Sequence, residues 1–250
     1  MSNPYPGKFV TIEGPDASGK TTSINDLKKF FKRHPEILKH KFTDILFVRE
    51  PGGTPISDEI RNVILSNHGD EKLHSQTQVF LFAANRYQNL KEIVIPALKA
   101  GKLVICDRFL LSTLAYQTKL INQPKSYQIS EINRIMDIHK YALLDEDSHE
   151  YIVPDLTIYF DINEDTVEFR MKERLMHDKT DIDANDQAIL DDLTRITRLK
   201  KQYDIVCELT RENISPFLTN VYKINANADQ NSRLAQILVT GQKLLDIKSK

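Results

Sequence analysis

Eight consecutive residues, Gly14, Pro15, Asp16, Ala17, Ser18, Gly19, Lys20 and Thr21, place two glycines ahead of a lysine and a hydroxyl at the spacing of a phosphate-binding loop. The glycines let the backbone curl so that successive N–H groups point at one spot. Lys20 brings a full positive charge for β- and γ-phosphates, and Thr21 brings an oxygen for Mg²⁺. Residues 8–13 ahead of the loop read as a strand. Residues 22–32 behind it carry Ile24, Leu27, Phe30 and Phe31 at helical spacing. The N-terminus of that helix adds positive partial charge where the loop converges. Together these features describe a site for a nucleoside triphosphate. They do not separate a kinase from a GTPase or a motor, and a glycine-rich turn without a ligand is the competing reading.

Two further clusters point to a second phosphate. A strand at 44–48 runs into Arg49, Glu50, Pro51, Gly52, Gly53, Thr54 and Pro55, a tight loop with an arginine at its mouth. Such an arginine meets a phosphate with a bidentate fork, or lies solvated on a surface turn. The apolar strand 103–107 ends in Asp107 and Arg108. An acid at that position suits Mg²⁺, held directly or through water, and Arg108 beside it would enter the same crevice. The alternative is an Asp–Arg pair that only stabilises the strand end. A GTPase needs no acceptor phosphate site, whereas a nucleotide kinase does. On the helical run 74–100, Phe82 and Arg86 are i and i+4 and share a face. A ring that stacks on a base and a guanidinium that donates to a base carbonyl would favour thymine or uracil over cytosine. Taken alone, the pair reads better as a core phenylalanine beside an exposed helix charge.

The elements that must position these groups alternate. Strands are expected at 8–13, 44–48, 103–107, 156–161 and 219–224. Helices are expected at 19–33, 55–66, 74–100, 110–120, 128–143, 163–176, 186–211 and 230–247, with Pro96 kinking the third. Alternation of this kind predicts an α/β fold, a five-stranded parallel sheet with helices on both faces. Ligands of such sheets sit beyond the carboxyl ends of the strands, where each of these motifs falls. Residues 177–187 are polar and aperiodic and read as a lid loop, and the acidic stretch 143–154 reads as a surface loop. No repeat or low-complexity linker divides residues 1–250, which predicts one domain.

Composition narrows the partners. The 250 residues carry a net charge of −1 with both signs interspersed, which argues against bulk binding to nucleic acid or anionic lipid. No guanine-recognition run of the N-K-x-D type occurs. Two cysteines far apart, Cys106 in an apolar strand and Cys207, read as free thiols, and seven scattered histidines lack the spacing of a structural metal site. The first residues lack a signal-peptide pattern and no apolar run reaches membrane-spanning length, so a cytoplasmic protein is expected.

At this point the chain resembles the thymidylate kinase family over roughly residues 8–224. The resemblance rests on Phe9 to Gly14 with the phosphate loop, Arg49 to Thr54, Leu81 to Arg86, Ile95 to Leu98, Asp107 to Phe109 followed by Ser112, Thr113, Tyr116 and Gln117, and Pro154 to Asp161. It implies a P-loop NTPase fold and transfer of the γ-phosphoryl of ATP to dTMP, with Mg²⁺. It implies that Gly14 to Thr21 hold the ATP phosphates and that Asp16 orients the acceptor side. Arg49 and Arg108 match the arginines around the dTMP phosphate. Phe82 matches the ring under thymine, Arg86 the arginine that reads its edge, and Thr113 and Gln117 residues near base and sugar. Arg170 and Arg174 match the start of a lid spanning about 174–187. Because Ala17 occupies the loop position where some members carry an arginine, the resemblance places the extra catalytic cation in the lid, with Arg174 ahead of Arg170, Lys172 and Lys179. It also implies a homodimer paired through helices, with 74–100 and 110–120 as candidate faces.

The chain departs from the family in extra length at 31–43, at 143–154 and at the C-terminus. It also has Thr118 where glycine is frequent and Phe109 where tyrosine is common. Two other activities compete with dTMP phosphorylation: a kinase of broader deoxynucleotide or deoxynucleoside range, and an ATP-binding regulatory protein without transfer.

Overall fold

The structure is a computed structural model. It describes residues 3–39, 41–177, 193–212, 214–218 and 220–244, with the backbone alone at 39, 171–172, 174–177, 193–196 and 244. In chain order the elements are β1 (Lys8–Glu13), α1 (Lys20–Arg33), α2 (Glu36–Lys39), β2 (Ile45–Arg49), α3 (Pro55–Leu65) and α4 (Ser75–Asn89). A π-helical stretch (Leu90–Val94) follows, then α5 (Ile95–Lys99), β3 (Leu103–Asp107), α6 (Leu110–Gln117) and α7 (Lys125–Leu143). The chain continues through β4 (Leu144–Asp145), β5 (Glu150–Tyr151), β6 (Leu156–Asp161), α8 (Glu164–His177), α9 (Leu193–Arg211), β7 (Val221–Asn225) and α10 (Gln230–Leu244). The expected elements are present, several with shifted ends, and residue 219, the first residues expected for the 186–211 helix and the last expected for 230–247 lie outside the described residues.

Five strands form one parallel sheet in the order β2-β3-β1-β6-β7. Side chains alternate across it, as the strand period requires. From β1, Phe9 joins the apolar layer that includes Leu111 and Leu114 of α6, Ile135 of α7 and Val206 of α9. Val10 and Ile12 join the opposite layer with Ile24 and Leu27 of α1 and Ile237 of α10. The same parity places Thr11 and Glu13 on the α6 side, where Thr11 Oγ1 lies 2.9 Å from Thr157 Oγ1 of β6. Both sheet faces are thus covered by helices, which leaves the carboxyl ends of the strands as the open edge.

Two stretches differ from their simplest reading. The 74–100 run is three pieces: Pro96, which lacks an N–H, sits in the first turn of α5, and the π-helical residues precede it. Residues 143–154 are not a bare surface loop. They form the β4–β5 hairpin with Asp145 buried. Burial alone would raise the Asp145 pKa, but hydrogen bonds from Tyr5, Lys91 and Ser148 hold it well below the usual carboxylate range. Among the described residues no helix is long and apolar enough to cross a membrane.

Candidate active site

The loop between β1 and α1 has the geometry its glycines predict. Gly14 takes φ 147° and Gly19 φ 89°. A side chain at Gly14 would meet Phe160 at 3.0 Å, so glycine also permits the loop to lie close over β6. No side chain caps α1 and no acid lies in its first turn, which leaves its N–H groups to an anion. Lys20 is buried, with Nζ 2.9 Å from Gly14 O and 2.6 Å from Pro15 O. Burial, and next the Arg108 charge, lower its pKa to about 8. Thr21 is exposed at the start of α1.

Arg108 follows β3 in a left-handed backbone conformation, φ 70°. For a residue with a Cβ this costs roughly 1–3 kcal/mol, a cost the surroundings must offset. Glu13 supplies the anchor. Its Oε1 accepts from the backbone N–H of Phe109 at 2.8 Å and of Leu111 at 3.1 Å; its Oε2 accepts from Ser112 N at 3.1 Å and from the Ser112 hydroxyl. One fully buried carboxylate thus organises the start of α6. Burial raises its pKa, while Ser112 and Arg108 oppose the rise. Phe109 packs edge-on against Phe9, with ring centroids 5.1 Å apart.

From this position Arg108 reaches the phosphate loop. Nη1 donates to Gly14 O at 3.1 Å, to Ser112 Oγ at 3.3 Å and to Tyr203 Oη at 3.2 Å; Nη2 pairs with Asp16. Tyr116 Oη also donates to Asp16, at 2.8 Å. Asp107 lies opposite Ile12 of β1 and Arg49 of β2, and its Oδ1 is buried without a hydrogen-bond partner among the described residues. An unpartnered carboxylate oxygen beside a hydroxyl-bearing phosphate loop is a donor set that fits Mg²⁺.

The second crevice lies between β2, α4 and α6. Arg49 is exposed, with Nη2 3.3 Å from Asp58. Thr54 caps α3 by accepting from Ser57 N at 3.0 Å, with Pro55 at the first helical position. Phe82 is half-buried. Arg86 is buried, not an exposed helix charge. Its Nε donates to Glu50 Oε2 at 2.9 Å, Nη2 to Thr113 Oγ1 at 3.0 Å and Nη1 to His139 Nδ1 at 2.7 Å, and its guanidinium lies 4.5 Å from the Phe109 ring centroid. Gln117 is half-buried, and both polar atoms of its amide are buried without a hydrogen-bond partner among the described residues. An amide that offers both N–H donors and a carbonyl acceptor suits a polar ligand edge.

Arg170 flanks the outer side of the phosphate loop, its Nη1 3.2 Å from Ser18 O and its Nη2 2.9 Å from Ala226 O. Burial, and next the charge of Arg233, lower its pKa. Arg174 belongs to the backbone of α8, but its side chain, that of Lys172 and the whole of Lys179 lie outside the described residues, as does most of the expected lid. Arg108, Asp16 and Lys20 are therefore brought together at the loop, and Arg86 and Thr113 at the second crevice. Arg49, opposite Asp107 at the end of β2, is exposed and pairs with Asp58.

Several participants carry no motif of their own. Glu13 could have been found as an acid in phase with Phe9 on a buried strand face. His139 could have been found as a lone polar residue at the helical spacing of Ile132, Ile135 and Met136. Tyr203 and Arg233, on α9 and α10, give no local signal, because only the tertiary fold carries them to Arg108 and Gly19.

Comparison with known proteins gives the family and the fold. A family model described as thymidylate kinase matches residues 12–215. A thymidylate kinase of Geobacillus sp. (strain WCH70) is 43% identical over 157 residues, 63% of this chain and 65% of the relative. One from Exiguobacterium sp. (strain ATCC BAA-1283 / AT1b) is 37% identical over 182 residues, 73% of this chain and 75% of the relative. The crystal structure of thymidylate kinase from Ehrlichia chaffeensis superposes with a TM-score of 0.60 at 22% identity, covering 95% of this chain and 99% of that one, which shows a shared fold. The chain belongs to the thymidylate kinase family.

Proposed function

We propose that this protein transfers the γ-phosphoryl group of ATP to dTMP, giving dTDP and ADP. The observation that carries the reading is the contact of Arg108 with both Gly14 and Asp16. It joins the end of β3, where an acceptor phosphate would sit, to the loop that would hold the donor phosphates. In the reaction a dTMP phosphate oxygen bonds to the γ-phosphorus as the bond to the β,γ-bridging oxygen breaks, and that oxygen leaves with ADP. Such a transfer needs positioning and charge neutralisation more than a covalent nucleophile. The amides of Gly14 to Thr21 and the Lys20 ammonium hold the donor phosphates. Arg108 holds the acceptor phosphate against them, and Arg49 meets it from the rim. Asp16 fixes the angle of Arg108 by pairing with it. Phe82 stacks under the base, Arg86 reads its edge, and Thr113 and Gln117 border base and sugar. Arg170 steadies the loop, and Arg174 brings a lid cation.

Thr21 and Asp107 would hold Mg²⁺, which would supply positive charge to offset that of the donor phosphates. Pairing of two copies goes with this reading, with α4 as a candidate face because Phe80 is exposed there. Helix α6 is a poor candidate, since Leu110, Leu111, Leu114 and Ala115 all point into the core.

The test is ADP release from Mg·ATP with dTMP, dUMP, UMP, CMP, AMP, dGMP and thymidine as separate acceptors. Preference for dTMP is expected. Similar rates with several acceptors would leave a broader kinase, and bound ATP with no acceptor-dependent turnover would leave a regulatory protein.

A further inference from the structure

Helix α7 turns a buried histidine toward the arginine of the second crevice. His139 is fully buried, and its Nδ1 lies 2.7 Å from Arg86 Nη1. A guanidinium carries donors only, so Nδ1 must present its lone pair and the ring proton must sit on Nε2. Burial, and next the Arg86 charge, hold the imidazole well below its usual pKa, which keeps that lone pair in place.

Donor accounting shows what this contact leaves open. A guanidinium has five N–H donors. Arg86 Nε donates to Glu50 Oε2; Nη2 lies 2.8 Å from the same oxygen and donates to Thr113 Oγ1; one Nη1–H goes to His139. Among the described residues nothing takes the second Nη1–H. Glu50 and Thr113 hold the Nε and Nη2 side of the fork, and His139 holds Nη1. The imidazole thus fixes which edge of the guanidinium remains available.

We propose that His139 is a positioning residue for base recognition, which aims the remaining Arg86 Nη1–H at the C4 carbonyl of the acceptor's pyrimidine ring. The proposal rests on the reading of this crevice as the dTMP site. A lone N–H donates to a carbonyl at C4 and opposes the amino group that cytosine carries there. Without an acceptor at position 139, Nη1 would hold a second unpaired hydrogen in a buried setting, and its aim would be lost.

The experiment compares the unaltered protein with His139→Leu, which removes the acceptor at similar volume, and His139→Asn, which returns an oxygen near the place of Nδ1. KM and kcat for dTMP, KM for ATP, the dTMP:dCMP ratio of kcat/KM and the melting temperature are measured for each. His139→Leu is expected to raise the dTMP KM and to narrow the dTMP:dCMP ratio, each about tenfold, with the ATP KM unchanged, and His139→Asn to recover most of both. Parallel rises in both KM values, an Asn variant no better than the Leu variant, or no change at all would each reduce His139 to packing. Should His139→Leu not fold, the ¹⁵N spectrum of the intact protein decides. A lone pair on Nδ1 from about pH 6 to about pH 8 is expected, and a proton on Nδ1 would overturn the proposal. If the unaltered protein releases no ADP in response to dTMP, the dTMP reading and the inference fall together. A working parent with an unchanged Leu variant removes the His139 role alone.

Discussion

The Arg108 guanidinium donates a hydrogen bond to the backbone carbonyl of Gly14 at 3.1 Å. The two residues belong to different strand ends, and the contact makes one unit of the loop after β1 and the loop after β3. Two phosphates held by one such unit keep a fixed separation, the condition that in-line transfer requires.

Removing Arg108 should therefore damage the transfer itself more than the binding of ATP. Arg108→Ala is expected to lower kcat/KM for dTMP by about a thousandfold, with the ATP Kd changed less than about threefold. Arg108→Lys keeps the charge but not the fork and should fall between the two. A coupled ADP assay and ATP titration calorimetry check this; equal losses in both would relocate Arg108 to the donor side.

Lys20 gives a pH signature. Its pKa in the unliganded protein is lowered to about 8 by burial and Arg108. ATP phosphates favour the charged ammonium, so binding at pH values near that pKa must draw a proton from solution. Calorimetry in two buffers of different ionisation enthalpy should show uptake of about half a proton at pH 8 and almost none near pH 6.5, with affinity falling as pH rises through 8. The folding linkage has the matching sign. A depressed lysine pKa means the unfolded chain binds more protons between about 8 and 10.5, so this group's contribution to stability rises with pH across that window. Proton release on ATP binding at pH 8 would contradict the assignment.

Glu13 is expected to be structural and indispensable in its ionisable form. In Glu13→Gln the amide nitrogen faces the Ser112 N–H where Oε2 accepted it, leaving a buried donor against a donor. A loss of about 1–3 kcal/mol in urea denaturation is expected. Because the α6 start also positions Arg108, dTMP turnover should fall with it. Unchanged stability would mean that α6 is anchored elsewhere.

Arg86 and Glu50 form a buried ion pair, 2.8 Å between Nη2 and Oε2. Arg86→Met should cost about 3–5 kcal/mol, since it strands the Glu50 carboxylate without its counter-charge. An exposed helix arginine would cost within about 0.5 kcal/mol. Glu50 has a pKa raised by burial and opposed by Arg86, so the variant's Glu50 should take up a proton more readily and the deficit should shrink as pH falls. A deficit independent of pH would point to lost packing instead.

Arg174→Ala tests the lid. A fall in kcat on the order of a thousandfold is expected if this side chain supplies the transferring group with its extra cation. A fall of less than about threefold in the same assay would shift the role to Arg170, Lys172 or Lys179.

Much of this was legible in the sequence. The glycine-rich loop, the parallel sheet and the acid and arginine after β3 all follow from preferences that act over a few residues: glycine's freedom and alternation along a strand. The buried network was not legible. Glu50, Arg86, Thr113 and His139 come from a loop and three helices, and nothing in their local spacing says that they meet. The acidic stretch misled for the same reason: Asp145 reads as a surface charge until Tyr5, Lys91 and Ser148 are seen around it. The sequence by itself determined which backbone segments form and where the glycine-rich loop turns, because backbone preference is local. Only the tertiary structure decided which charges lose water together and which donors remain unspent, because desolvation and pairing depend on distances in space between groups far apart along the chain.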